Sequence, residues 1–378
     1  SYPVPPKKNG GTVRQHDEHF MTRALELSRR ARRTSPNPRV GCVVVRAGEI
    51  LAEGFHERAG TPHAEALALA RAADAAAATV YVSLEPCVHR GRTPPCVDEL
   101  VEARVGRVVV AMTDPDERVA GRGVEALRAA GIEVAVGILS ERAEALNRAY
   151  CHHRRTGRPL LSLKLALSLD GRLAAADGSA RWITGPRARR IVHVRRREAD
   201  AVMVGAGTVL ADDPSLTARD VGAVHQPATI VVDAVGRVPS TARLFSNESV
   251  LVATTNRSSH VAQLSWKEGG AEVLVLPEAG DLVDLDALLD HLGDRGMLDV
   301  LCEGGAALAT SLLAADLVDE VELHHGPLLI GGGGPVIGEL GVGTMADARR
   351  WRLCEVQRAE DVVVSRFVRG EVPCSPGS

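Results

Sequence analysis

Short apolar runs rich in Val, Ile and Leu alternate along this chain with longer stretches whose apolar residues recur three and four apart. More than any other feature, that alternation constrains the chain to an α/β fold. In the first half it predicts a helix over 17–33, strands over 40–45 and 50–55, and a helix over 63–73. Strands over 80–84 and 108–112, a helix over 123–130, a strand over 132–137 and a helix over 140–148 complete that half. The second series predicts strand 160–166, helix 186–197, strands 201–204, 229–232, 250–253 and 272–276, helix 285–292, strand 298–302, helix 306–314 and strand 320–324. Between the two, Cys151-His-His-Arg-Arg-Thr-Gly-Arg-Pro159 concentrates charge, Gly and Pro. The domain boundary is expected there, giving domains over 14–153 and 158–370. Residues 1–13 and 371–378 lack periodicity and are expected to be flexible tails.

Composition excludes several function classes. Hydrophobic residues make up 45% and charged residues 25% of the 378, as in an ordinary globular protein. The net charge of −3 divides into +2 over 1–150 and −5 over 151–378, too little positive charge to hold a nucleic-acid backbone. Aromatics are 3%, leaving few platforms on which bases could stack. No apolar run spans a bilayer, and the N-terminus carries no secretory pattern. Seven scattered cysteines do not make a disulfide framework. A cytoplasmic protein acting on a small molecule is expected, without nucleic acid or membrane, as a homo-oligomer.

The chemistry in the first half gathers at His63-Ala-Glu65, Glu85-Pro86-Cys87 and Pro94-Pro95-Cys96. One imidazole and two thiolates supply three ligands for tetrahedral Zn²⁺ and leave a position for water, the catalytic arrangement. Zinc lowers the pKa of such a water to about 7. Inside a regular helix His63 and Glu65 would point apart, but at a helix start both can face the metal. Glu65 is then the proton carrier. Each cysteine is expected to precede or open a turn whose N–H groups favour the thiolate. Buried free cysteines or a structural zinc knuckle are the other readings. A knuckle needs a further ligand, for which His89 is the candidate between the cysteines.

Taken together with Pro36-Asn37-Pro38-Arg-Val40-Gly41, Gly54-Phe55-His56 and Gly91-Arg92-Thr93-Pro94-Pro95-Cys96, these motifs resemble the cytidine deaminase-like superfamily. More closely they resemble the N-terminal half of the bifunctional deaminase/reductases of riboflavin biosynthesis. Eight residues between the cysteines, rather than the two of many nucleobase deaminases, mark that branch. The resemblance implies a cytidine deaminase-like α/β/α domain, with Asn37 on the substrate base and the 89–93 loop near a ribose phosphate. Arg90 and Arg92 suit a phosphate, and His56 is a further substrate candidate. A turn-forming Asn37, a packed His56 and a solvated basic loop are the structural alternatives. Val88 stands where the family usually has Ser.

In the second half, 41 arginines against four lysines make Lys164, inside the apolar run Leu160-Leu-Ser-Leu-Lys-Leu-Ala166, conspicuous. A lysine there needs a charged partner or a ligand, unless it snorkels from an edge strand. Glycines follow strands at Gly205-Ala-Gly207-Thr208, Glu303-Gly304-Gly305 and Gly331–Gly334, where a phosphate can reach free N–H groups at a helix start. None is a full dinucleotide fingerprint.

These runs, with Lys164-Leu-Ala-Leu-Ser-Leu-Asp170-Gly171-Arg172 and Arg181-Trp182-Ile-Thr184, resemble the C-terminal half of the same family. A dihydrofolate reductase-like α/β domain using NADPH is implied. By that resemblance Lys164, Asp170, Arg196, Leu216, Arg219 and Glu303 contact the substrate. Ala166, Trp182, Thr208, Asp212, Gly305, Ala306, Ala307, Leu308, Ala309, Thr310 and Ser311 line the cofactor. Ala180 and Ala234 replace family hydroxyls, each worth about 1 kcal/mol as a hydrogen bond. The activities implied are zinc-dependent deamination of 2,5-diamino-6-ribosylamino-4(3H)-pyrimidinone 5′-phosphate and NADPH-dependent reduction of its ribosyl chain. The alternatives are deamination of another nucleobase or RNA base beside a non-catalytic binding domain, and a zinc-stabilised scaffold.

Overall fold

The structure is a computed structural model that describes residues 10–31, 33–88, 94–180 and 182–370. It divides into two compact units, with the division between Thr156 and Gly157. Among the described residues no helix is long and apolar enough to cross a membrane.

The first unit runs α1 (Gly10–Ser28), β1 (Gly41–Arg46), β2 (Glu49–Phe55), α2 (Ala64–Arg71), β3 (Thr79–Val82), α3 (Cys96–Glu102), β4 (Arg107–Val110), α4 (Arg122–Ala129), β5 (Glu133–Val136), α5 (Ser140–Leu146) and α6 (Arg148–Thr156). Its sheet has the order β2-β1-β3-β4-β5. β1 is antiparallel to both neighbours, whereas β3, β4 and β5 are parallel. Cys42 and Val44 of β1, Val80 and Val82 of β3, and Val108 and Val110 of β4 share one core with Ala64 and Ala68 of α2 and Leu100 of α3. Two glycines set how closely helices approach the sheet. A Cβ on Gly41 would lie 2.0 Å from the Ala24 carbonyl of α1, and one on Gly54 would lie 2.3 Å from the Ala64 carbonyl of α2.

Four expectations are corrected here. Helix α1 starts at Gly10, inside the expected 1–13 tail, and ends at Ser28 rather than 33. Its buried stripe of Phe20, Met21, Ala24, Leu25 and Leu27 holds it to the sheet, and the Ser28 hydroxyl turns back onto the Leu25 carbonyl at 2.7 Å. The expected helix over 140–148 is broken at Asn147, whose side chain instead bonds both backbone groups of Arg39. The charged 151–159 stretch is helical to Thr156, because Tyr150 and Cys151 are buried. Cys96 opens a helix, not a turn. Residues 1–9 and 371–378 of the expected tails lie outside the described residues.

The second unit runs β6 (Leu160–Leu167), α7 (Pro186–Glu198), β7 (Ala201–Gly205), α8 (Ala206–Asp212), β8 (Ala228–Val232), β9 (Val250–Thr254), α9 (His260–Glu268), β10 (Glu272–Val275), β11 (Glu278–Ala279), β12 (Leu282–Val283), α10 (Leu285–Asp294), β13 (Asp299–Cys302), α11 (Ala306–Ala314), β14 (Glu320–His325), β15 (Trp351–Ala359) and β16 (Val362–Arg369). Nine strands form one sheet, β10-β9-β8-β7-β13-β6-β14-β16-β15. It is parallel as far as β14, and β16 and β15 are antiparallel. Both faces are covered: Met203, Ile230 and Leu251 pack on α10 and α11, while Val204, Val231 and Val252 pack with Trp266 of α9. β6 is interior and divides sharply. Leu161, Leu163, Leu165 and Leu167 enter the first core, and Ser162, Lys164 and Ala166 alternate onto the other face. The edge-strand explanation for Lys164 is thereby excluded.

Candidate active sites in the two units

Local backbone brings the first-unit motifs together. His63 is the N-cap of α2, with extended backbone at φ −70° and ψ 163°, and Glu65 is the second helical residue. The His63 Nδ1 lies 3.1 Å from Cys96 Sγ and 3.6 Å from Cys87 Sγ. The Cys96 amide reaches Cys87 Sγ at 3.5 Å as α3 starts. All three ligand atoms fall within 4.8 Å of one another, and no fourth metal-ligating side chain joins them among the described residues. Such a nitrogen-and-two-sulfur set fits zinc with one position left for a non-protein ligand. A hydrogen bond from Cys96 holds the Cys87 thiol down at about 4, the thiolate form that a metal requires. The same pairing pushes Cys96 well above its usual range.

Glu65 is only 3% exposed, and burial pushes its carboxyl up to about 7, against the pull of His63. The Asn37–His56 pair lies next to this cluster, with the His56 and His63 rings edge to face at 5.5 Å. His56 Nδ1 is 3.1 Å from the Pro62 carbonyl, which can only accept, so Nδ1 carries the proton. Nε2 then accepts from Asn37 Nδ2 at 3.0 Å, leaving Asn37 Oδ1 as that amide's remaining acceptor. Burial lowers the His56 pKa, in keeping with a neutral ring.

Glu85 and Glu99 carry roles that the sequence reading missed. Glu85 accepts from the amides of Asp114, Gly121 and Val124 at 2.9–3.1 Å, tying the 114–124 segment to the cysteine motif. Three acceptor contacts to distant backbone have no local signature. Glu99 lies one helical turn beyond Cys96, and burial raises its pKa. The proposed phosphate ligand Arg92, with His89 and Arg90, lies outside the described residues, as does Arg181.

In the second unit the structure pairs two residues expected to bind substrate separately. Arg196 of α7 forms a two-pronged bond with Glu303, Nε to Oε1 at 2.6 Å and Nη2 to Oε2 at 3.0 Å. Arg196 Nη1 also donates to the Thr217 carbonyl at 3.1 Å, so its guanidinium is not at liberty to grip a phosphate alone. Glu303 is held below its usual range despite burial, chiefly by Arg196 and also by the charge of Lys164. Arg219 is exposed and donates to the Ser215 and Thr217 hydroxyls. Its amide meets His193 Nδ1 at 3.2 Å, a contact no motif announced. Leu216 sits between them with its side chain in the core and φ at +54°. Only its backbone remains to meet a ligand.

Asp170 is exposed and accepts from the Ser168 hydroxyl and from the Ile330 and Gly331 amides, which lowers its pKa. Among the residues expected at the cofactor, Thr208 Oγ1 accepts from Gly305 N at 2.9 Å, joining α8 to the start of α11. A groove of about 520 Å³ runs beside α11, lined by Ala306, Ala307, Thr310, Ser311, Pro335 and Gly338 among others. The helical period turns the side chains of Leu308 and Ala309 into the core. The groove, small-residue walls and helix start with an uncapped Gly305 fit a phosphate-bearing dinucleotide. Ala166 is half-buried on β6, and Asp212 ends α8 half-buried. Trp182 stands apart, 66% exposed and covered by the Arg189 guanidinium at 4.2 Å.

Comparison with known proteins agrees in both halves. Residues 14–112 match the cytidine and deoxycytidylate deaminase zinc-binding region, and residues 159–365 match the RibD C-terminal domain. The riboflavin biosynthesis protein RibD of Escherichia coli is 43% identical over 357 residues, covering 90% of this chain and 96% of that protein. That of Aquifex aeolicus is 39% identical over 355 residues, covering 93% and 98%. Among solved structures, Acinetobacter baumannii RibD in form 1 superposes with a TM-score of 0.86 at 39% identity, covering 95% of this chain and all of that one. The Thermotoga maritima diaminohydroxyphosphoribosylaminopyrimidine deaminase/5-amino-6-(5-phosphoribosylamino)uracil reductase gives 0.85 at 33% identity, with the same coverage.

Proposed function

This chain belongs to the RibD family of bifunctional deaminase/reductases in riboflavin biosynthesis, and from that premise we propose how its own residues divide the work. The first domain, residues 14–153, deaminates 2,5-diamino-6-ribosylamino-4(3H)-pyrimidinone 5′-phosphate, and the second, residues 158–370, reduces the ribosyl chain of the product to ribityl. The convergence of His63, Cys87 and Cys96 beside the buried Glu65 carries the reading of the first reaction.

His63 Nδ1 and the two cysteine sulfurs hold zinc, which when bound supplies a Lewis acid that makes water nucleophilic near neutral pH. Glu65 would carry two protons in turn, the first from the attacking water to the ring nitrogen as the C–O bond forms, the second from the new hydroxyl to the amine as the C–N bond breaks and ammonia leaves. A carboxyl raised to about 7 by burial suits both directions of transfer. Asn37, oriented by His56, meets the pyrimidine edge, and Arg92 meets the ribose phosphate.

In the second domain the α11 groove, Ala166, Trp182, Thr208, Asp212 and the Gly305–Ser311 backbone hold NADPH, which when bound supplies the reducing equivalent. Lys164 and Asp170 orient the sugar. Glu303 and Arg196 act as one bidentate unit, and Arg219 with the Leu216 backbone meets the phosphate end. The reaction needs positioning and exclusion of water more than a strong acid.

Small-molecule chemistry in the cytoplasm, without nucleic acid, is supported by the near-neutral charge and by six described cysteines that are all free thiols. A homo-oligomer is supported by β15, which ends the sheet with its outer edge unpaired among the described residues. Incubating the protein with the diaminopyrimidine phosphate and NADPH tests the reading. Ammonia release should precede loss of nicotinamide absorbance. NADPH consumption with no preceding ammonia overturns the order.

A further inference from the structure

The polar face of the reductase sheet carries a row of alternating charge in which the family motifs account for Lys164 and Glu303 but not for Glu322 and Arg366. Glu322 of β14 is the registered neighbour of Lys164 on β6 and of Arg366 on β16. On the other side, Cys302 of β13 pairs with Leu163, so the following residue Glu303 comes level with Lys164. Read across four adjacent strands, the row is Glu303, Lys164, Glu322, Arg366, with signs minus, plus, minus, plus.

The two acids beside Lys164 are already bound from elsewhere, and the lysine is not. Glu303 is gripped by Arg196. Glu322, 5% exposed, accepts from His324 Nε2 at 2.5 Å and lies 3.6 Å from the Arg195 guanidinium. Since a carboxylate only accepts, Nε2 of His324 carries the proton. Its Nδ1 is buried with no hydrogen-bond partner among the described residues. Arg195 is further paired with Asp299, and Arg366 with Glu320. Around Lys164 the cations Arg195, Arg196 and Arg366 are thus each paired with acids, Arg366 with the exposed Glu355 as well as with Glu320. Lys164 makes no ion pair within 4.0 Å among the described residues, yet its charge helps to lower the pKa of both flanking acids.

We propose that Glu322 is a positioning residue for the reduction: with Glu303 it brackets Lys164, holding the ammonium centred and uncommitted for a hydroxyl or carbonyl oxygen of the sugar. His324 and Arg195 fix Glu322 in turn. This rests on the reading of Lys164 as a sugar contact, and the experiment separates the two.

Glu322→Gln keeps the shape and the bond from His324 but removes the charge. In the full-length protein it should raise KM for the deaminated substrate about tenfold, leave NADPH affinity within about twofold and leave deamination unchanged. Lys164→Met should raise that KM at least as far, and adding Glu322→Gln to it should then change nothing further. His324→Gln offers a milder second variant, with a rise of about threefold that also vanishes in the Lys164→Met background. An equal effect of Glu322→Gln in both backgrounds, or no effect in either, overturns the positioning role. A Lys164→Met protein with unaltered reductase kinetics overturns the sugar contact itself, and the proposal with it.

Discussion

Glu65 and Glu85 are both buried carboxylates near the cysteine motif, and their hydrogen bonds give them opposite uses. Glu85 spends its oxygens on three amides of the 114–124 segment. Glu65 instead meets its own amide and Cys96, and burial raises its carboxyl to about 7. Glu65→Gln should therefore lower deamination by about 10²–10⁴-fold, while zinc content by metal analysis and reduction of the deaminated intermediate persist. Asp114 predicts a pH effect. Burial raises its carboxyl to about 6, so the folded chain holds a proton that the unfolded chain releases near 4. Its contribution to stability is complete below pH 4 and is lost as pH rises to 6, an upper bound of about 3 kcal/mol. Asp114→Asn should flatten that slope in denaturant titrations over this range. The convergence of His63, Cys87 and Cys96 was legible because these residue types in this pattern are chemically restrictive. The Arg196–Glu303 clasp was not, since 107 positions separate its members and each alone suits a phosphate.

Among elements, α2 shows how a residue with no side chain can govern chemistry. Gly54 lets α2 lie against β2, and α2 carries Glu65 and is capped by His63. Gly54→Ala would set a methyl 2.3 Å from the Ala64 carbonyl, forcing the helix outward. Weaker zinc retention on dialysis and slower deamination should result, with reductase rates unchanged. Strands with apolar alternation or continuous apolar runs, such as β1, β3 and β7, were readable from sequence. β15 and β16 were not. β15 is exposed along nearly its whole length, so Trp-Arg-Leu-Cys-Glu-Val-Gln-Arg-Ala offers no buried face to betray it. α9 was missed although Ser259 caps it by accepting from the Ala262 amide, because the polar residues around that cap read as loop.

At the scale of the molecule, two units with separate cores imply that the activities fail separately. Chelating the metal should abolish ammonia release while the deaminated intermediate is still reduced at its former rate; a scaffold held by zinc would instead unfold, visible as lost circular dichroism. The two-part α/β plan was legible from alternating runs, and the division between Thr156 and Gly157 falls inside the expected 151–159 stretch; what lay hidden was that this stretch is largely helix, since basic α6 resembles a linker when its buried Tyr150 and Cys151 are unknown. Interior strand β6 has a last implication. Its leucines occupy one side and its Ser, Lys and Ala the other, so threading it one position out of step would drown an ammonium in oil and leave four leucines against charged helix residues. Correct folding of the reductase half is thus proofread by the same lysine proposed to meet its substrate, and single-residue insertions or deletions in this strand cannot be absorbed by degrees.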